Sequence, residues 1–246
     1  MKDRVWKLIG IVLVLGMTAC IVTYAGNDQA EKLSVPAAGK ADQPNQSARG
    51  GLTSWNFEDQ KAGAVPTGWK VAETGGKGKP AKWEVIADAK APSAPNVAAL
   101  TKTQNTGNTI NLLLAEGPKL KDLDLEARVK VISGKDNQGS GLVWRVVDPN
   151  NYYLARWTPL SNNIRVYCIK GGKPRRLANI NVKVDPKAWH TIKVNHQGDK
   201  IAALLDGKKL IDVNDTTFVD AGMIGLCTKA DAAAAFDDVS VQRIRP

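Results

Sequence analysis

Arginine and aromatic side chains are concentrated in residues 141–176, and they are the residues of this sequence with the clearest capacity for chemistry. This block holds seven basic residues and one acidic residue, whereas residues 177–246 hold nine of each. The guanidinium groups of Arg145, Arg156 and Arg165 are forked hydrogen-bond donors that suit hydroxyl and carboxylate groups. The ring of Tyr167 offers a flat surface for stacking. Donors beside a stacking surface predict recognition of a polar, ring-shaped ligand.

Strand geometry predicts which of these side chains share a face. In residues 164–169 a period of two places Arg165 and Tyr167 on one face and apolar residues on the other. Neighbouring antiparallel strands would bring the remaining arginines to the same concave sheet. An alternative interpretation is a solvated face whose arginines bind nothing specific. The sequence predicts a glycan-binding site formed by Arg145, Arg156, Asn162, Asn163, Arg165 and Tyr167.

Three acidic residues also alternate along one predicted strand, at Asp122, Asp124 and Glu126. Hydrolysis of a glycoside normally needs two carboxylates that flank the scissile bond. Leu123 and Leu125 form the complementary apolar face, which predicts that the acids are a solvated stripe. The sequence therefore identifies no catalytic carboxylate pair.

The formal net charge of +10 raises nucleic acid, an anionic membrane surface and an acidic polysaccharide as partners. The excess lies in one block of predicted strands, without the aromatic consensus of RNA-binding sheets. We therefore expect a carbohydrate partner, with an acidic carbohydrate as an open option, and no nucleic acid. The oligomeric state is not indicated.

The first 25 residues have the pattern of an export signal. Basic residues precede an apolar run over residues 8–19. Three interpretations stay open: a lipoprotein signal with Cys20 as the modified residue, a conventional signal cleaved after Ala25, and an uncleaved anchor. Each predicts an extracytoplasmic protein that is periplasmic, secreted or membrane-anchored and contacts the membrane only through this segment. Residues 26–51 lack aromatic residues and predict a flexible linker.

Residues 52–246 predict an all-β domain. Alternating or β-branched segments recur between turn residues such as Gly, Asn and Asp, and no long segment has a helical period. So many short strands predict a two-sheet antiparallel jelly-roll sandwich. The predicted strands span residues 82–87, 97–102, 109–114, 122–132, 141–147, 151–157, 163–170, 174–181, 189–195, 201–206, 208–213, 223–228 and 235–243.

Two cysteines lie within this domain, at Cys168 and Cys227. An oxidising compartment would permit a disulfide between them, and two buried thiols in separate strands are the open alternative. Neither cysteine has a second Cys or a His at metal-ligand spacing, so zinc is not expected.

The segment from Trp189 to Leu210 contains a strand, a turn, a second strand and an Asp-Gly hairpin in that order. This segment resembles laminin-G and concanavalin A-like lectin/glucanase domains. Residues 55–69 and 236–239 resemble the first and closing strands of such domains. Residues 141–167 are similar to exported bacterial proteins of the family-16-glucanase-like and 3-keto-disaccharide-hydrolase-like kinds. The resemblance implies a concanavalin A-like jelly roll.

No cofactor is expected to be required. The same resemblance leaves open a structural Ca²⁺, with Asp237 closing a turn or pairing with a Lys as the alternative, and it leaves open two alternative activities. In several carbohydrate-binding jelly rolls a Ca²⁺ ion joins the first and last strands, and the candidate ligands here are Glu58, Asp237 and Asp238. A glycoside hydrolase-like enzyme acting on a disaccharide or 3-keto-sugar is the first alternative to glycan binding. A structural protein-interaction domain is the second, because one fold of this kind hosts many functions.

Overall fold

The computed structural model describes residues 51–76 and 80–245, so the predicted signal or anchor and most of the predicted linker lie outside the described residues. No helix in this part of the chain is long and apolar enough to cross a membrane. The first strands are β1 (Leu52–Trp55), β2 (Trp69–Thr74), β3 (Lys82–Ala87), β4 (Asn96–Lys102), β5 (Ile110–Ala115), β6 (Leu123–Ser133), β7 (Ser140–Asp148) and β8 (Asn151–Thr158). A short 3-10 turn (Pro159–Ser161) follows, and then β9 (Asn163–Lys170), β10 (Lys173–Asn181), β11 (His190–Gln197), β12 (Lys200–Leu205), β13 (Lys208–Asn214), β14 (Met223–Lys229) and β15 (Ala233–Arg243).

The strands form two antiparallel sheets, which confirms the predicted jelly-roll sandwich. The first sheet has the order β13-β12-β11-β6-β15-β4-β3, and β1 pairs with the second half of β15. The second sheet has the order β10-β9-β8-β7-β14-β5-β2. Apolar side chains from the facing surfaces of both sheets build one shared core.

Strand β6 illustrates how the sequence pattern sets the sandwich. Leu123, Leu125 and Val129 are fully buried in the core, while Asp124 and Glu126 are partly exposed on the other face. Each fully buried aliphatic side chain stabilises the fold by about 1.5–3 kcal/mol. The acidic residues of this strand therefore form the solvated stripe that the alternation predicts.

The second sheet also has apolar residues on its outer face, and the sheet is curved toward that face. Thr74 of edge strand β2 hydrogen-bonds Tyr152 of β8, although three strands lie between β2 and β8. A flat sheet would separate those two strands by about 19 Å. The sheet therefore curls, and its outer face is concave. Side chains buried along this concave face include Leu112, Leu114, Val143, Tyr152, Leu154 and Ile169.

Both cysteines are free thiols, so the disulfide hypothesis is wrong. Cys168 of β9 packs in the core between the sheets, while Cys227 of β14 packs on the concave face. Strands β8 and β7 also lie between them, so the two cysteines are not on neighbouring strands, and they point to opposite faces of the sheet. A disulfide requires two Cα atoms within about 7 Å. The alternative of two buried thiols in separate strands is confirmed.

Candidate functional site

A cavity of about 160 Å³ opens on the concave face of the second sheet. This volume holds roughly ten water molecules, which is space on the scale of one sugar ring. Its apolar floor consists of Ile110, Leu154 and Ile169. We call this cavity the Arg156 pocket. Its polar wall consists of Thr74, Asn108, Arg156, Tyr167 and Lys229.

Arg156 is buried, with only 3% of its surface exposed. The centre of its guanidinium lies 5.4 Å from the centroid of the Tyr167 ring, within the range of a cation-π contact. Its stem passes so close to Gly139 that a Cβ atom there would lie 2.5 Å from the Arg156 Cδ. The glycine therefore leaves the space in which the arginine side chain lies.

The guanidinium of Arg156 has an unsatisfied donor. Its Nε is buried and forms no hydrogen bond with any described residue. Burial lowers the pKa of Arg156 from its ordinary value, and arginine side chains are not deprotonated in proteins. A buried cation without an acceptor is costly unless a ligand supplies one.

Positive charge accumulates at this pocket without a carboxylate to balance it. Burial lowers the pKa of Lys229, and repulsion from Arg156 and Arg165 lowers it further. None of the described residues that line the pocket carries a carboxylate. The pocket is therefore a donor-rich, positively charged cavity with one aromatic wall.

Two turns close the far side of the pocket. The Thr74 hydroxyl donates to the Pro149 carbonyl at 2.5 Å, which leaves the Tyr152 hydroxyl, 2.6 Å away, as the donor to Thr74. Burial raises the pKa of Tyr152, which keeps this hydroxyl protonated. The Gly172 amide donates to the Asn150 carbonyl at 2.9 Å. These contacts join the β7–β8 and β9–β10 turns to strand β2.

Comparison with known proteins identifies the family of this domain. The family model of the 3-keto-alpha-glucoside-1,2-lyase-like domain matches residues 57–242. The chain belongs to this family. The resemblance drawn from the sequence motifs is thereby confirmed.

Individual relatives of this lyase-like domain are more distant. The levanase of Bacillus subtilis (strain 168) is 25% identical over 138 residues, which is 56% of this chain and 20% of the levanase. The chain thus spans about a fifth of the length of that curated relative. The carbohydrate binding module CBM66 from Bacillus subtilis superposes with a TM-score of 0.57 at 20% identity, covering 72% of this chain and 96% of the module.

The exoplasmic/lumenal domain of VIP36, in a Ca²⁺/Man-bound form, superposes on this chain with a TM-score of 0.52 at 14% identity. The match covers 78% of this chain and 90% of the VIP36 domain. At these identities the likeness to both solved structures shows the jelly-roll fold alone.

Within this lyase-like domain, three of the predicted binding residues lie on the concave face. Arg156 and Arg165 are directly paired in register on β8 and β9, and Tyr167 follows on the same face of β9. The Arg165 Nε donates to Asn179 Oδ1 at 2.6 Å, which holds its side chain toward β10. Arg165 therefore lies beside the Arg156 pocket, while Arg156 and Tyr167 line it.

Arg145 does not join this group, so the expectation of a shared face is wrong for this residue. It is fully buried, and it lies at a β-bulge of β7 with a φ of 47°. Its guanidinium donates to the carbonyls of Lys121, Phe218 and Gly198 at 2.6–3.0 Å, and it contacts Asp122 at 3.3 Å. Burial lowers the pKa of Arg145, and Asp122 opposes that effect. Arg145 is a structural clamp that ties loops to β7.

Asn162 and Asn163 shape the β8–β9 connection and do not line the pocket. Asn162 has a left-handed φ of 48°, and its backbone N–H donates to the Pro159 carbonyl. The Asn163 Nδ2 donates to the carbonyl and the hydroxyl of Ser161 at 2.8 Å. The expectation that these amides form the rim of the site is therefore wrong.

The three residues of the calcium hypothesis lie close together around Ser93 and Asn96. Both oxygens of Asp237 accept backbone N–H groups, from Ser93 and Asp238. Asp238 accepts a hydrogen bond from the Ser93 hydroxyl, and Glu58 accepts one from the backbone N–H of Asn96 at 3.0 Å. Burial, together with the negative charges of Asp238 and Glu58, raises the pKa of Asp237 to about 6. Across residues 51–76 and 80–245, no group of three His, Cys, Asp or Glu side chains is arranged to hold a metal ion.

Sequence reasoning missed several residues that shape the pocket. Lys229, Thr74 and Asn108 come from distant parts of the chain. Lys229 lies across β7 from Arg156, whereas Thr74 approaches because the sheet curls. Gly139 lies in a segment with two nearby glycines, Gly134 and Gly141, and that clustering was the one available signal of a close approach.

Proposed function

We propose that this domain binds a carbohydrate in the Arg156 pocket. The observation that carries the proposal is the buried Arg156 guanidinium, which faces an aromatic ring and has a donor without an acceptor among the described residues. A sugar supplies hydroxyl oxygens for such donors and a C–H face for the Tyr167 ring. The pocket thus combines the orienting polar groups and apolar surface that are typical of small-ligand sites.

The named relatives support a carbohydrate as the ligand. They include a carbohydrate binding module, a lumenal domain in a Man-bound form and a levanase. These proteins share the fold or a part of the sequence with this chain, and their ligands are their own. They support the class of ligand, while the residues of the pocket decide its details.

Recognition suits this pocket better than hydrolysis. Hydrolysis of a glycoside usually employs two carboxylates that flank the bond. The described lining of the Arg156 pocket contains none. Asp122, Asp124 and Glu126 lie on β6 or just before it, in the other sheet.

A glycan array and isothermal titration calorimetry with the full chain test this proposal. We expect saturable binding to at least one saccharide, and a loss of at least tenfold in affinity for Arg156→Met. The matched control is Arg243→Met, which removes an exposed arginine from the far end of β15 and should leave binding unchanged. Binding that survives in Arg156→Met would place the site elsewhere, and the absence of any saccharide binding would reject the function.

Family membership favours one second candidate, an enzyme that cleaves a 3-keto-glucoside. NMR spectroscopy of a 3-keto-disaccharide incubated with the full chain would detect its cleavage. Turnover that is abolished by a single substitution in the pocket would favour the enzyme. An unchanged substrate beside measurable binding would favour recognition alone.

We also propose that the domain acts outside the cytoplasm. Residues 1–25 would either anchor it to the membrane or be cleaved from it as a signal peptide. The basic residues followed by an apolar run support this location. Cell fractionation, with labelled palmitate in wild type and Cys20→Ser, separates the three routes. Label that is lost in Cys20→Ser indicates a lipoprotein, a shortened unlabelled chain indicates conventional cleavage, and a full-length membrane-bound chain indicates an anchor. A cytoplasmic full-length chain would reject export.

A further inference from the structure

We propose that the ligand of the Arg156 pocket carries a carboxylate, so that the pocket accepts a hexuronate unit rather than a neutral hexose. This inference rests on the proposed carbohydrate function and specifies its substrate class. Four observations carry it: the unsatisfied guanidinium, the composition of the lining, the commitment of nearby acids to other partners, and the shape of the walls.

Arg156 is part of the lining of the pocket, and a guanidinium carries forked N–H edges. The Arg156 Nε is buried without a partner among the described residues, and only 3% of the residue is exposed. An arginine can bind a carboxylate through two parallel N–H···O bonds from one such edge. Paired in this way, the buried charge acquires both a counter-ion and the missing acceptor.

The side chains that line the pocket are better suited to an acceptor than to a hydroxyl. Arg156 and Lys229 only donate, and the hydroxyl of Thr74 already donates to Pro149. A neutral sugar hydroxyl both donates and accepts, and the side-chain acceptors in this lining are the Asn108 amide oxygen and the hydroxyls of Tyr167 and Thr74, whereas both charged groups are donors. A carboxylate only accepts, and it therefore matches this lining.

The acidic residues nearest in sequence to the lining are engaged elsewhere. Glu73, next to Thr74, accepts the Ala81 amide at 2.9 Å and the side-chain amide of Asn105. Asp231, two residues after Lys229, accepts three backbone N–H groups from residues 135–137. Neither acid lines the pocket. The positive charge of Arg156 and Lys229 is thus left for a ligand to neutralise.

The shape of the pocket favours a carboxylate attached to a ring over a free inorganic anion. The floor of Ile110, Leu154 and Ile169 is apolar, and Tyr167 forms a flat wall beside the guanidinium. Sulfate or phosphate would cover the cation and leave the apolar floor unfilled. The C–H face of a hexuronate ring can contact the floor while its carboxylate meets Arg156.

Matched pairs of sugars provide the test. The full chain is titrated with D-glucuronate and D-galacturonate, with D-glucose and D-galactose as their neutral counterparts, and with sodium sulfate. The same pairs are compared as oligosaccharides on an array. We expect the better hexuronate to bind at least tenfold more tightly than its neutral partner, and its affinity to fall as NaCl is raised. Arg156→Met should abolish that preference, whereas Arg243→Met should retain it.

Each other result overturns the inference in a recognisable way. A neutral hexose that binds as tightly as its uronate, with both lost in Arg156→Met, rejects the carboxylate and keeps the carbohydrate function. Sulfate that competes as well as the uronate identifies a general anion site. Failure of every sugar to bind, on the array and in solution, rejects both proposals together.

Discussion

The guanidinium of Arg156 lies 5.4 Å from the ring centroid of Tyr167, on the concave face of a sheet whose other buried residues there are mostly apolar. The two residues face each other because β8 and β9 are adjacent and antiparallel. The aromatic ring stabilises the cation only in part, since it contributes about 0.5–2 kcal/mol. The proposed ligand would offset the remaining cost of burying the charge.

Replacing Arg156 by methionine should separate stability from binding. We expect Arg156→Met to raise the free energy of unfolding by about 1–3 kcal/mol, because an unsatisfied buried cation is exchanged for an apolar side chain of similar length. Urea denaturation measures this change, and calorimetry measures the loss of ligand. A clear loss of stability in Arg156→Met would indicate that the guanidinium has a partner within the protein.

A methyl group at Gly139 should displace Arg156 without removing its charge. The added Cβ would lie 2.5 Å from Arg156 Cδ and 2.8 Å from its Nε, so the side chain must move. We expect Gly139→Ala to weaken ligand binding at least tenfold in calorimetry while the chain stays folded. Gly117→Ala is the matched control, because its added Cβ meets only Trp55 at an ordinary 3.5 Å. Equal affinities for the two variants would contradict the role of Gly139.

Strand β9 shows how much of the site the sequence predicts. The alternation of Arg165 and Tyr167 with apolar residues fixed both the strand and its faces, and the structure places β9 at Asn163–Lys170 as predicted. Arg145 lies outside what alternation can predict, because a bulge in β7 turns its side chain away from the expected face. Lys229 was missed for another reason. It lies across β7 from Arg156, and no local pattern encodes that β7 pairs with both β8 and β14.

The clamp formed by Arg145 should matter for folding and not directly for ligand binding. Arg145→Met leaves the carbonyls of Lys121, Phe218 and Gly198 without their donor and Asp122 without its cation. We expect a loss of about 3–5 kcal/mol in the free energy of unfolding. Urea denaturation measures this loss, with Arg243→Met as the control variant. A loss below 1 kcal/mol would show that water replaces the guanidinium at little cost.

Calcium should stabilise the chain if the hypothesis for Glu58, Asp237 and Asp238 is correct. Binding to the folded state alone would raise the unfolding free energy by about 2.7 kcal/mol at a hundredfold excess over the Kd. The hypothesis predicts a higher Tm in millimolar Ca²⁺ than in EDTA, and no such difference in Asp238→Asn. Mg²⁺ serves as the control ion. Identical Tm values in Ca²⁺ and EDTA would reject a calcium site at these carboxylates.

Asp215 should make the fold sensitive to acid. Burial alone would raise the pKa of Asp215, but hydrogen bonds from Thr217, Tyr153 and Arg175 outweigh burial and hold the pKa well below its ordinary value. Tyr153 donates at 2.6 Å and Arg175 at 2.5 Å. Because the folded-state pKa is depressed, this stabilisation is complete above the unfolded pKa near 3.9 and is lost as the pH falls below it.

The variant Asp215→Asn tests this linkage. We expect it to lower the free energy of unfolding by about 1–3 kcal/mol at pH 7, since an amide replaces a carboxylate that accepts charged and neutral donors. The difference in the free energy of unfolding between wild type and variant should become smaller between about pH 4 and pH 2, because protonation of Asp215 then begins to remove its stabilising effect in the wild type. Asp212→Asn, on an exposed position of β13, is the matched control. A difference that stays constant with pH would mean that Asp215 acts through its shape rather than through its charge.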